Sequence, residues 1–118
     1  MEEKAFLEIM NRMEDNEHTI MGTKGVEYTQ GDLKTDRLAN FNRIGKELNM
    51  DPKVVCYIYL KKHLDSIACY VKNGKEYTEE KIEGRINDAR NYLILLNAII
   101  QEQKKEALNE GLQVQDLG

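Results

Sequence analysis

The chain has 118 residues, a formal net charge of −4 and 32% charged residues, enough for one domain with its own core and no need of staples. The negative balance, with Lys61-Lys62 and Lys104-Lys105 the only adjacent basic pairs, argues against non-specific nucleic-acid binding, which requires a clustered basic footprint. No apolar run approaches membrane-spanning length, so no membrane partner is expected, and the start Met-Glu-Glu-Lys has no secretory h-region. Cys56 and Cys69 stand 13 apart on one predicted helix, beyond disulfide reach. These features predict a reduced, cytoplasmic protein. A single proline and few β-branched alternations favour an all-α fold.

The first predicted helix runs from about Glu2 to His18 or a little beyond, with Phe6, Ile9, Met10 and Met13 as its apolar stripe. The stretch from Gly22 to Thr35 carries three glycines without helical period and reads as a long connection. From it, Lys24, Tyr28 and Lys34 are within reach of an anionic ligand, although the glycine spacing is not that of a phosphate loop. Disorder or simple linking is the competing reading of this stretch.

Thr35 is placed to cap a second helix over Asp36 to Asn49, with Leu38, Phe41 and Leu48 inward and Asn40 beside a cleft or in solvent. Asp51-Pro52 restarts the chain as an N-cap followed by proline at N1, and Asn73-Gly74 stops the third helix. Its seam is expected to be Leu60, Leu64, Ile67 and Val71, with a second strip of Val54, Ile58 and Cys69 along which Lys62 and Asp65 fall. Lys62 and Asp65 are equally readable as a surface i,i+3 ion pair. His63 is expected at the surface or at a seam edge.

Thr78 to Gly111 predicts one long helix, capped by Thr78, closed by Gly111 and followed by a flexible tail over 112–118. Ile82, Ile86, Ala89, Leu93, Leu96 and Ile100 form an a/d seam. Glu83, Asp88, Asn91 and Tyr92 occupy directions that become apolar one or two turns later, so they line either a pocket or the solvated mouth of a bundle. The helix exceeds the width of a compact chain of this size, and Leu93–Ile100 is apolar nearly all round, which predicts a homo-oligomer.

No zinc spacing, serine triad or nucleotide-fold glycine fingerprint is visible in the sequence. The remaining chemistry is a carboxylate set of Asp65, Glu83 and Asp88, with Lys62, Asn91 and Tyr92 near it in projection. Carboxylates converging across helices can hold Mg²⁺ with a phosphorylated ligand.

The runs Asp36-Arg-Leu-Ala-Asn40-Phe41, Lys62-His-Leu-Asp65-Ser and Ile82-Glu83-Gly-Arg-Ile-Asn-Asp88-Ala-Arg-Asn91-Tyr92-Leu resemble small bacteriophage proteins of the nucleotide-modification-associated type. That group is distantly similar to the all-α nucleotide pyrophosphohydrolases that include MazG and dUTPase-like enzymes. The resemblance spans about residues 5 to 100 and is strongest in the Glu-x4-Asp-x2-Asn-Tyr pattern. It implies an oligomeric four-helix bundle-like domain with a nucleotide between helices. As a hydrolase, such a protein would use Asp65, Glu83 and Asp88 for Mg²⁺ and the attacking water, with Lys24, Tyr28, Asn40, Phe41, Lys62, Asn91 and Tyr92 on the ligand. The paired Glu-x-x-Glu and Glu-x-x-Asp metal motifs of MazG-type enzymes are incomplete here, Lys62-x-x-Asp65 replacing one of them. A non-catalytic binder that sequesters a nucleotide or nucleotide-derived signal is therefore an alternative, as is a protein-interaction module using Leu93–Ile100.

Overall fold

The computed structural model describes the backbone of residues 1–28 and 38–117, and the surroundings of the side chains of 1–16 and 38–111. Four helices follow one another, α1 (Glu3–Tyr28), α2 (Ala39–Leu48), α3 (Pro52–Asn73) and α4 (Ile82–Leu117), with no strand among the described residues. The fold is all-α with a long C-terminal helix, as its composition and periodicity predict.

Local chemistry sets the α2–α3 corner. Asn49 adopts the left-handed conformation that closes α2, and the Asp51 carboxylate accepts the Lys53 amide at 2.9 Å, capping α3 just before Pro52. Gly45 permits the chain to double back. Its carbonyl accepts the Met50 amide at 2.7 Å, and a Cβ placed on it would stand 2.6 Å from the Met50 carbonyl oxygen. At the far end of α3, Gly74 at φ 69° supplies the left-handed cap.

Helices α3 and α4 run antiparallel and carry the main contact. Along it Asp51 meets Gln103, Cys56 meets the Tyr92 carbonyl and His63 meets Asp88. The core is a small cluster of Leu38, Phe41, Val55, Cys56 and Ile99, flanked by Ile44, Met50, Tyr92, Leu95 and Leu96. Helix α2 covers α3, and α1 packs against the N-terminal half of α4.

Several expectations are corrected. Helix α1 does not stop near His18 but continues to Tyr28, so Gly22 to Tyr28 is helical rather than loop. A glycine costs only about 1 kcal/mol in a helix interior, and that did not end the helix here. Thr35 and Lys34 lie outside the described residues. Helix α4 begins at Ile82, not Thr78, because the Thr78 hydroxyl accepts the Glu80 amide within a local turn while the first helical bond joins Arg85 to Lys81. Gly111 does not end it, since Gly74 is the only described glycine with positive φ and α4 runs on through most of the expected tail, to Leu117.

The seams also shift. Leu48, Leu64, Val71, Ile86 and Leu93, all expected inward, are exposed, as are Phe6 and Met10 of the first stripe. Of the positions expected inward Leu38, Phe41, Leu60 and Ala89 are buried, and Val55, Cys56 and Ile99, which were not expected there, join them. Periodicity locates an apolar face, but α4 has two, and only one is covered in the single chain.

Candidate functional site

Two pairs spaced i, i+4 meet where α3 and α4 pack beneath α2, and a third lies about 100° away on α4. Tyr59 and His63 come from α3, and Asp88 with Tyr92 and Asn87 with Asn91 from α4. That spacing stacks the two members of each pair on one helix face.

The aromatic members form a continuous ladder. Phe41 of α2 meets Tyr59 at a ring separation of 6.0 Å and 54°, Tyr59 meets Tyr92 at 6.1 Å and 52°, and the Tyr92 ring stacks on His63 at 5.3 Å and 25°. Such tilted and offset geometries suit the ring quadrupoles and hold these side chains in one arrangement. Asp88, 8% exposed, places a carboxylate oxygen 3.8 Å from His63 Nδ1, an electrostatic contact longer than a hydrogen bond.

The two asparagines complete the site. Asn87 and Asn91 are 3% and 5% exposed, and the Oδ1 of Asn87 and both amide atoms of Asn91 are buried without a hydrogen-bond partner among the described residues. A buried polar atom left without a partner costs about 1–3 kcal/mol. A carboxamide held this way offers one acceptor and two donors in a plane.

Beneath the ladder, Cys56 is fully enclosed and donates to the Tyr92 carbonyl at 3.5 Å. Burial pushes its thiol up to about 11, so it is inert as a nucleophile at neutral pH.

The expected carboxylates do not meet. Asp65 is exposed and receives Lys61 Nζ at 2.7 Å; it is this lysine, not Lys62, that pairs with it, and the contact raises the Lys61 pKa. Lys62 is likewise exposed. Glu83 accepts the Arg12 Nε of α1 at 2.8 Å, about 140° around α4 from Asp88. Among the described residues no group of three or more His, Cys, Asp or Glu side chains is placed to hold a metal ion. The Mg²⁺ set implied by the resemblance therefore does not fit, because each of its carboxylates serves a different contact.

Of the other expected ligand residues, Phe41, Asn91 and Tyr92 belong to the cluster. Asn40 lies outside it, accepting Arg43 Nη2 at 2.8 Å. Lys24 and Tyr28 are on the α1 backbone, and their side chains lie outside the described residues. Tyr59, His63 and Asn87 were not singled out as ligand residues. The signal that marks them is the repeated i, i+4 spacing, Tyr59 to His63 and Asn87 to Asn91, in register with Asp88 to Tyr92.

A hollow of about 150 Å³ lies toward the C-terminal end of α3 and the start of α4, among Ser66, Tyr70, Tyr77, Ile82 and Arg85. Arg85 there faces Glu80 at 3.3 Å, so its charge is already met. No described helix is long and apolar enough to cross a membrane. Comparison with protein-family models, curated proteins and solved structures gave no match.

Proposed function

We propose that the chain binds a nucleotide or nucleotide-derived small molecule at the Asn87–Asn91 face, beside the aromatic ladder. The observation that carries the reading is Asn91, whose amide is buried with both polar atoms unpartnered, one residue before Tyr92 of the aromatic ladder. A planar donor–acceptor edge matches the edge of a nucleobase, and aromatic side chains favour stacked bases. A ligand that supplies the missing partners recovers the cost of desolvating them.

Binding is favoured over pyrophosphate hydrolysis. Hydrolysis through Mg²⁺ calls for carboxylates that share an ion, whereas Asp65, Glu83 and Asp88 have separate partners. A sequestering role, in which the ligand is held and released unchanged, needs no shared metal ion.

The test is a thermal-shift screen of nucleoside mono-, di- and triphosphates and cyclic dinucleotides, with and without Mg²⁺, followed by chromatography of each hit. The expected result is a ligand that raises the Tm by mass action without Mg²⁺ and is recovered intact. Consumption of a triphosphate would restore the enzyme reading. No shift with any of these ligands would refute nucleotide binding.

A further inference from the structure

We infer that the α3–α4 face opposite α1 and α2 is the contact of a twofold homodimer, in which two copies pair these helices into a shared four-helix layer. The protein exposes 8960 Å² of surface, while a compact monomer of 13.7 kDa exposes about 6,600 Å². Its radius of gyration is 18.0 Å, against about 13.5 Å for a compact chain of this length. The surplus of about 2,400 Å² is that of the whole chain, of which the bare face is one part, and an obligate homodimer interface takes about 1,000–2,500 Å² from each partner.

Part of the exposed apolar surface is organised, while Val54, Ile58 and Ile94 lie on other faces. On α3, Tyr57, Leu64, Ala68 and Val71 fall within an arc of about 60°, and on α4, exposed Ile86 and Leu93 fall with half-buried Ile100 within about 40°, at about 100° per residue. Steps of seven connect Tyr57 to Leu64 and Ile86 to Leu93 to Ile100, the repeat of a packed helix seam. Tyr57 is 51% exposed, Val71 79% and Leu93 51%.

Both stripes lie on one side of the molecule. Viewed down α3, its α2-facing residues, Val55 and Tyr59, and its Tyr57–Val71 stripe flank the direction of α4 on opposite sides. Because α4 runs antiparallel, its Leu93 stripe falls on the Tyr57 side and its Asn87–Asn91 face on the α2 side. The two helices thus form half of a bundle with one face bare. A second copy supplies the same apolar pattern, and of the charges that flank it on α3 the Lys61–Asp65 pair is neutral as a unit. The ligand-binding face points the other way and is independent of this contact.

The test is mass by light scattering during size-exclusion chromatography, for the intact chain and for Leu93→Glu and Val71→Lys. The intact chain is expected at twice 13.7 kDa at micromolar concentration, and both variants at the single-chain mass with helical circular dichroism retained. Leu93→Cys should form a disulfide-linked dimer under mild oxidation. A single-chain mass for the intact protein would overturn the inference and favour another protein's helix on this face. A dimer unaltered by both charged variants would overturn it too. If the charged variants fail to fold, no cross-linking through Leu93→Cys in the intact fold would do so.

Discussion

Replacing Asn91 by leucine separates a ligand-binding residue from a structural one. Leucine has the same branched heavy-atom skeleton, so the change swaps two buried polar atoms for two methyl groups with little change of shape. Asn91 is 5% exposed and neither amide atom has a partner among the described residues. Removing that unmet polarity, at about 1–3 kcal/mol per atom, is offset by the larger methyl groups, for which overpacking costs about 1–3 kcal/mol. The helix gains a few tenths of a kcal/mol from leucine's better propensity. The net expectation is a stabilisation of about 1–2 kcal/mol. With an unfolding entropy of about 0.25 kcal/mol/K for this length, that corresponds to a Tm rise of about 4–8 °C. Urea denaturation at fixed protein concentration gives the free energy, and the same variant should lose the nucleotide-induced Tm shift. Asn109→Leu, exposed on the side of α4 away from the Leu93 stripe, serves as control with a change near zero. A destabilised Asn91→Leu, or one that keeps the ligand shift, would refute the assignment of this amide to ligand.

Three other perturbations test the frame that holds the site. Gly45→Ala should cost about 1–3 kcal/mol in urea denaturation, because its Cβ meets the Met50 carbonyl oxygen at 2.6 Å and backbone must move. The Cys56 thiol has a folded pKa of about 11 against an ordinary 9.0, so the unfolded chain releases this proton first as pH rises. Stability from this group is intact below about pH 9, then falls by about 2–3 kcal/mol in total up to about pH 11, and Cys56→Ala should flatten that part of the stability–pH curve. Asp51→Ala should cost about 1–2 kcal/mol, since the carboxylate caps α3 and also accepts Gln103 Nε2 at 2.9 Å. The Gln103 and Lys53 hydrogen bonds hold the Asp51 pKa below its usual value. That contribution is present above the ordinary carboxylate range and is lost as pH falls through the lowered pKa, a loss that acid titration of Asp51→Asn should not show.

The sequence by itself determined the helical class and those boundaries set by local chemistry. Asp51-Pro52 and Asn73-Gly74 act within a turn of the chain, so α3 is legible from its caps alone. Signals of intrinsic preference were weaker guides. Gly22, Gly25 and Gly111 read as breaks and lie within helices, because an energy near 1 kcal/mol does not decide a helix end. The site was half legible for a related reason. Phe41, Asn91 and Tyr92 stood out as polar or aromatic residues beside apolar positions, but the ladder that joins them to Tyr59 and His63 exists only where α3 crosses α4. Charge pairing was likewise decided in three dimensions, since Arg12 of α1 reaches Glu83 across 71 residues of sequence. Tertiary structure also chose which apolar stripe is inside. Leu60 and Leu64 look alike in the sequence, yet one is 2% and the other 37% exposed, because burial depends on which face a neighbouring helix covers and hydrophobicity alone does not carry that direction.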